Sequence, residues 1–186
     1  MAPHSPDKAK ACTNATCRSC RTDLAFLRGT RRPYPRETHE HCFRAVDLFA
    51  GCGGMSVGLQ EAAHREKCGL EIPLALDADA EVLDVYRTNL PGAAALAADV
   101  KSLFDGSLRT SLTQTEKRQR RTIGPIDVLL GGPPCQGHSD LNNHTRRNDP
   151  KNDLYLVMAR ASEVLEPKVV VVENVVPVLL DKSRVV

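Results

Sequence analysis

Apolar runs alternate with segments of helical periodicity along the chain from about residue 44 onward. The apolar runs predict five strands: RAVDLFAG (44–51), IPLALDA (72–78), AALAADV (94–100), IDVLLGG (126–132) and KVVVVENV (168–175). Helical spacing and terminating glycines or prolines predict three helices: MSVGLQEAAHREKCG (55–69), DAEVLDVYRTNLPG (79–92) and NDLYLVMARASEVLEP (152–167). The polar segment from 101 to about 124 is predicted to be a loop.

This alternation is typical of an α/β domain with a parallel sheet and helices on both faces. The strands are apolar throughout, as expected for strands that are buried on both sides. Ligands of such sheets bind beyond the carboxyl ends of the strands. Polar, glycine or cysteine residues follow each predicted strand end, so we expect a single site there.

A polar extension with prolines, arginines and cysteines occupies residues 1–43, and the predicted domain fills 44–186. The chain has seven cysteines, an odd number that argues against a disulfide scaffold. A small zinc site is one interpretation of the CTNATCRSC and HEHC segments; the alternative is a tail with incidental cysteines. The candidate ligands are Cys12, Cys17, Cys20 and Cys42.

Composition and charge narrow the class of protein. The 186 residues, 41% hydrophobic, suffice for one soluble globular domain. The net charge of +2 is nearly neutral and by itself says little about binding partners. The N-terminus has no apolar signal segment, and Glu173, Asn174 and Pro177 interrupt the longest apolar run. We therefore expect no membrane association and a cytoplasmic location. Basic stretches at 116–121 and 144–152 flank the turn around Cys135, which suits a polyanion but also suits solvated loops.

The segment DLFAGCGG places a glycine-rich turn between the first strand and the first helix. An acid about 20 residues later, at the end of the second strand, is typical of a group that binds ribose hydroxyls. Asp77 holds that position and Asp79 is a second candidate, although Asp79 is equally suited to cap a helix. The sequence contains neither a complete GxGxxG nor a GK[ST] loop, which favours a ribose ligand without pyrophosphate.

The segment GGPPCQGHS (131–139) presents Cys135 on a stiff turn behind two prolines. Glu173 ends the next strand, where its carboxylate could face the same substrate as the thiol. A thiolate is a strong nucleophile, and a neighbouring acid can move protons. Taken singly, Cys135 could be a small buried apolar residue and Glu173 an end-of-strand ion pair; the two together favour catalysis.

These segments resemble the signature blocks of cytosine-5 DNA methyltransferases. DLFAGCGGMSVGL, GGPPCQGHS, DPKNDLYLVMAR and VVVENV occur in the family's order, and the resemblance covers about residues 44–180. It implies a Rossmann-like methyltransferase fold and S-adenosylmethionine as methyl donor. By this likeness Asp77 would hold the ribose and Asp99 would face the adenine. The implied cofactor-binding residues are Phe49, Gly51, Gly53, Asp77, Asp99 and Leu154.

The resemblance also implies a reaction on double-stranded DNA. Cys135 would attack carbon 6 of a flipped cytosine while Glu173 bonds its ring nitrogen 3 and amino group. The implied catalytic residues are Pro134, Cys135, Gln136, Glu173 and Asn174. The loop 136–148 would close over DNA through Ser139, Arg146 and Arg147, with His138 where the family often has an aromatic residue.

Some family blocks have no counterpart in this sequence. They are a Gln-x-Arg-x-Arg block, a target-recognition region and a C-terminal helix. Without them, segment 168–175 would be an exposed apolar edge. We therefore expect half of an enzyme, incomplete at its C-terminus and inactive without the other half, which a second polypeptide could carry. The favoured context is a bacterial restriction-modification system. The alternatives are an RNA cytosine-5 methyltransferase and a non-catalytic remnant that binds cofactor or DNA.

Overall fold

The computed structural model describes residues 41–134 and 153–174. Its strands are β1 (Cys42–Leu48), β2 (Gly69–Asp77), β3 (Ala95–Ala97), β4 (Val128–Gly131) and β5 (Val169–Val172). Its helices are α1 (Gly54–Arg65), α2 (Ala80–Asn89), α3 (Val100–Leu103), α4 (Gln114–Ile123) and α5 (Asp153–Leu165). The predicted strands and the three predicted helices are all present.

The strands form one parallel sheet in the order β3-β2-β1-β4-β5. The chain runs outward from β1 to β3 on one side and then returns to begin β4 on the other. The order of the strands therefore reverses between β1 and β4. Leu48 pairs with Leu76 on one side and with Gly131 on the other, and Gly131 pairs with Val172. The carboxyl ends of the strands are thus level at one edge of the sheet.

Helices cover both faces, as the sequence predicts. One apolar cluster joins Val46, Leu48 and Leu129 to side chains of α3 and α5. A second, smaller cluster joins Ala75 to Leu83 and Tyr86 of α2. Alternate residues of a strand point to opposite faces, so Asp47 lies on the α1/α2 side between Val46 and Leu48.

The segment 101–124, predicted to be a loop, contains α4 as well as most of α3. The prediction missed the capping box at the start of α4. There the Thr113 hydroxyl accepts from the Glu116 N–H and the Glu116 carboxylate accepts from the Thr113 N–H. Glu116 is fully buried and forms a two-pronged ion pair with Arg160 of α5, at 2.8 and 2.7 Å. This tertiary contact stabilises a helix whose exposed side chains look like those of a loop.

The basic stretch 116–121, for which the sequence left a polyanion contact and a solvated loop as alternatives, lies on helix α4. The Arg44 guanidinium, near the start of β1, donates to the carbonyl of Ile123 at the end of α4. Arg120 pairs with Glu166, which precedes β5. The C-terminal half of this stretch is therefore at the amino-terminal edge of the sheet, because α4 runs antiparallel to the strands.

The β5 strand is the edge of the described sheet and is poorly covered. Its four valines, Val169 to Val172, are 42–52% exposed. The sequence predicts an exposed apolar edge here, and within residues 41–134 and 153–174 the β5 side chains are exposed. No helix within residues 41–134 and 153–174 has the length and apolarity needed to cross a membrane.

The buried ion pair between Arg160 and Glu116 leaves no space for a side chain at Gly106. A Cβ at Gly106 would lie 2.6 Å from Arg160 Nη2 and 2.7 Å from Glu116 Oε1. We expect Gly106→Ala to lower the free energy of unfolding by about 2 kcal/mol, measured by urea denaturation, because the buried ion pair must shift.

The matched control is Gly58→Ala on α1, where an added Cβ meets nothing within 4 Å. Alanine favours the helix, so this variant should gain roughly 0.5–1 kcal/mol. Equal effects of the two substitutions would contradict the assigned role of Gly106.

Candidate active site

The turn between β1 and α1 has an unusual backbone. Phe49, Gly51 and Gly53 all have positive φ, at 58°, 51° and 89°. A left-handed conformation is costly for an aromatic residue and is found mainly where the surroundings enforce it, often at functional sites. Gly53 precedes α1 without a side-chain cap. The turn therefore presents backbone and the Phe49 ring, with little side-chain bulk, at the edge where the strands end.

Asp77, the last residue of β2, is bonded directly to this turn. Its Oδ2 accepts from the Gly51 N–H at 2.8 Å, and its Oδ1 accepts from the Asp79 N–H at 2.9 Å. Each carboxylate oxygen retains further acceptor capacity for a ligand hydroxyl. Asp79 caps α2 by accepting from the N–H groups of Glu81 and Val82. Of the two candidate acids, Asp79 is the helix cap.

Asp99 follows β3 and caps the short helix α3, accepting from the Lys101 N–H at 2.9 Å. The structure thus gives this acid a local role that the sequence prediction had not included. Asp99 nevertheless lines the same cavity as Asp77. The capping bond uses one oxygen and leaves acceptor capacity on the other.

A cavity of about 490 Å³ lies at the carboxyl ends of β1, β2 and β4, next to the point where strand order reverses. This is where open parallel sheets bind their ligands. Five residues singled out from the sequence line it: Phe49, Asp77, Asp99, Pro134 and Leu154. Four lining residues were missed, Ala78, Val100, Lys101 and Gly132. Gly51 and Gly53 shape the turn beside the cavity but are not among the residues that line it.

Glu173 lies beside the turn that leads to Cys135. Its N–H donates to the Gly131 carbonyl at 3.0 Å, and a Cβ on Gly132 would be 3.5 Å from its Oε2. The next residue, Asn174, donates its side-chain amide to the hydroxyl of Tyr155 on α5. Tyr155 was not predicted from the sequence; it connects the end of β5 to the helix that carries Leu154.

Several predicted site residues lie outside the described residues. They are Cys135, Gln136, Ser139, Arg146 and Arg147, and the candidate zinc ligands Cys12, Cys17 and Cys20. Cys42 is described and is the exposed first residue of β1. Residues 41–134 and 153–174 contain no group of three or more potential metal ligands.

A buried polar network behind the turn was also missed. Asp47 is 2% exposed, and its Oδ2 accepts from the Ser56 hydroxyl at 2.6 Å and from the Tyr86 hydroxyl at 3.4 Å. Burial raises the pKa of Asp47 to about 6, although the two hydroxyls favour its charged form. Ser56 and Tyr86 lie within predicted helices, and nothing in the sequence pattern indicates a contact between them and Asp47.

The family comparison decides what kind of protein carries this cavity. The model of the C-5 cytosine-specific DNA methylases matches residues 43–185, most of the chain. The chain belongs to this family. The cavity and the segments that resemble the family's signature blocks lie within the matched region.

Curated methyltransferases support the assignment. The chain is 40% identical over 161 residues to the type II methyltransferase M1.BsuMI of Bacillus subtilis, covering 87% of this chain and 38% of that protein. It is 33% identical over 139 residues to M.DdeI of Desulfomicrobium norvegicum, covering 75% of this chain and 29% of that protein. The chain therefore spans about a third of the length of these relatives.

Solved structures agree on the fold. A prophage-encoded E. coli protein described as a DNA modification methyltransferase superposes with a TM-score of 0.55 at 28% identity. That superposition covers 76% of this chain and 34% of the E. coli protein. DNMT2 of Spodoptera frugiperda superposes with a TM-score of 0.52 at 23% identity, covering 76% of this chain and 38% of that one. The Rossmann-like methyltransferase fold expected from the sequence is confirmed.

The raised pKa of Asp47 makes stability depend on pH. In the unfolded chain this carboxyl titrates near its ordinary pKa of about 4, so between about pH 4 and 6 the folded state holds a proton that the unfolded state has lost. The contribution of Asp47 to the free energy of unfolding is therefore fully present below pH 4 and is lost as the pH rises through 6. The expected loss is at most about 3 kcal/mol.

The test compares urea unfolding of the wild type and Asp47→Asn at pH 4 and pH 8. The free energy of unfolding of Asp47→Asn, taken relative to the wild type, should be higher at pH 8 than at pH 4. If the stability difference between Asp47→Asn and the wild type is the same at pH 4 and pH 8, Asp47 has the same pKa in the folded and unfolded states.

Proposed function

We propose that this chain forms the part of a DNA cytosine-5 methyltransferase that binds S-adenosylmethionine and carries the catalytic cysteine. One observation carries the proposal. The cavity at the strand-order reversal is lined by Phe49, Asp77, Asp99 and Leu154, four of the six implied cofactor-binding residues, and by Pro134, the residue before Cys135. This arrangement supports a shared site for the cofactor and the proposed nucleophile.

The cavity suits S-adenosylmethionine chemically. Asp77 offers carboxylate oxygens for ribose hydroxyls. The hydrogen bond that it accepts from the Gly51 N–H fixes the orientation of this carboxylate. Asp99 offers an acceptor for an adenine amino group. The two acids outnumber the one cation, Lys101, among the lining residues, which favours a ligand with net positive charge. The Phe49 ring supplies an apolar surface for a flat base. When bound, the cofactor supplies an electrophilic methyl group.

The chain's own residues would activate the cytosine. The Cys135 thiolate adds to carbon 6, which makes carbon 5 nucleophilic. Glu173, held by the bond from its N–H to the Gly131 carbonyl, is beside the turn that leads to Cys135 and would bond ring nitrogen 3 and the amino group. After carbon 5 accepts the methyl group, loss of its proton and departure of the Cys135 sulfur restore the thiolate. Pro134, Gln136 and Asn174 would hold the two reacting groups in place.

The substrate proposed is double-stranded DNA, in a bacterial restriction-modification setting and a cytoplasmic location. The relatives named above are type II methyltransferases, which supports DNA over RNA. Arg146, Arg147 and Ser139 are the proposed DNA contacts. Zinc binding by Cys12, Cys17, Cys20 and Cys42 stays a prediction.

We also propose that turnover requires the region that the relatives carry beyond the matched part, on this polypeptide or on a second one. The four exposed valines of β5 support this idea, because an apolar parallel edge is normally covered by a further element. Bound to that edge, such a region would also stand next to Glu173.

Asp77 can be tested with a pair of ligands. We expect Asp77→Ala to weaken S-adenosylhomocysteine binding about tenfold or more in calorimetry, because a charged hydrogen-bond acceptor is lost. An analogue without ribose hydroxyls should bind weakly to the wild type, and Asp77→Ala should bind this analogue with the same affinity as the wild type does.

The control is Asp84→Ala, an exposed acid of α2 that pairs with Arg87 outside the cavity. It should bind S-adenosylhomocysteine like the wild type. If Asp77→Ala still distinguishes the two ligands as the wild type does, Asp77 does not hold the ribose.

Covalent trapping tests the nucleophile. DNA containing 5-fluorocytosine should form a stable adduct with the chain when S-adenosylmethionine and the C-terminal region of M1.BsuMI are added, because fluorine at carbon 5 cannot leave as a proton does. Denaturing electrophoresis should show the adduct with wild type and Cys68→Ser, and none with Cys135→Ser.

The chain alone should form no adduct. An adduct without the added region would contradict the proposed incompleteness, and one with Cys135→Ser would reassign the nucleophile. An adduct with 5-fluorocytidine RNA but not with DNA would make RNA the substrate. Cofactor binding without any adduct would indicate a non-catalytic protein.

A further inference from the structure

Helix α2 contacts the glycine turn through two side chains that do not line the cavity. The Asn89 side-chain amide donates to the Cys52 carbonyl at 3.0 Å. The Tyr86 ring lies against Gly53, where an added Cβ would be 2.9 Å from Tyr86 Cδ2. Neither Tyr86 nor Asn89 lines the cavity. These two side chains therefore reach a ligand only through the backbone of the turn.

The Tyr86 ring is itself held in place. It is fully buried, and its hydroxyl donates to Ser56 Oγ at 2.8 Å, with Asp47 Oδ2 at 3.4 Å. Ser56 in turn donates to Asp47 at 2.6 Å. The ring consequently forms a fixed surface behind Gly53, anchored to both β1 and α1.

Three consecutive residues of the turn are thus restrained by separate contacts. The Gly51 N–H is bonded to Asp77, the Cys52 carbonyl to Asn89, and Gly53 packs on Tyr86. A glycine-rich turn without such restraints would sample many conformations, and ligand binding would have to order it. Restraint before binding lowers that entropic cost and raises affinity.

We infer that Tyr86 and Asn89 are positioning residues for the cofactor, which act by holding turn 50–54 in its binding conformation. This inference rests on the proposed function, because it assumes that the ligand of the cavity is S-adenosylmethionine or its product. Asn89 gives the sharper test, since it is exposed at the end of α2 and its removal leaves the core unchanged.

The probe is S-adenosylhomocysteine, with the dissociation constant measured by calorimetry at a temperature where every variant is folded. Asn89→Ala should bind about five- to tenfold more weakly, the effect of one lost hydrogen bond. Its melting temperature should stay close to that of the wild type. Thr88→Ala is the matched control, because the Thr88 hydroxyl donates to the Asp84 carbonyl within its own helix. That variant should bind like the wild type.

Tyr86→Phe separates the ring from its anchor. It keeps the surface behind Gly53 and removes the hydroxyl contacts to Ser56 and Asp47. We expect a smaller loss of affinity than in Asn89→Ala together with a lower melting temperature, because buried hydrogen bonds are lost.

The outcomes distinguish the inference from the function on which it rests. A wild-type chain that does not bind S-adenosylhomocysteine overturns both. A wild-type chain that binds, with Asn89→Ala equal to Thr88→Ala, overturns the inference alone. Weaker binding in Asn89→Ala than in Thr88→Ala supports it, because a purely structural role would lower the melting temperature and leave the affinity of the folded protein unchanged.

Discussion

The central strand β1 is hydrogen-bonded to β2 and β4 and buried on both faces, and the site depends on this placement. Because all the strands are parallel, their carboxyl ends meet at one edge, and the reversal of strand order beside β1 opens a space there. Phe49 leaves β1 on one side of the space, and Gly132 and Pro134 leave β4 on the other. Residues distant in sequence face each other only because β1 separates β2 from β4.

Each wall of the cavity is stiffened from behind by a polar contact. On one face, Asp47, Ser56 and Tyr86 support the glycine turn, although a buried carboxyl with a raised pKa reduces stability near neutral pH. On the other face, Arg160 holds α5 against Glu116, and the first turn of α5 brings Leu154 to the cavity and Tyr155 to Asn174. In both places a buried charge is retained where a defined backbone position matters for binding.

The local pattern of the sequence was sufficient for the sheet and for most of the site. Apolar runs marked the five strands, and the residue after each run indicated the binding edge, because parallel strands all end on the same side. Asp77, Asp99, Phe49, Pro134 and Leu154 were found in this way or by family resemblance. The α4 helix was missed because its exposed basic side chains resemble those of a loop. The TQTE capping box was the signal that could have revealed it.

The sequence by itself determined the α/β class, the strand ends and the family, since these depend on periodicity and on short segments read in order. Tertiary structure alone decided the role of side chains whose partners lie far along the chain. In the sequence, Tyr86 looks like an ordinary apolar position of a helix. In the fold, Asp47, 39 residues away in the chain, lies 3.4 Å from its hydroxyl. Asp79 was a second candidate beside Asp77, and the tertiary structure separates them because the Gly51 N–H is bonded to Asp77 while Asp79 caps α2. Such pairings arise from packing, which no local pattern encodes.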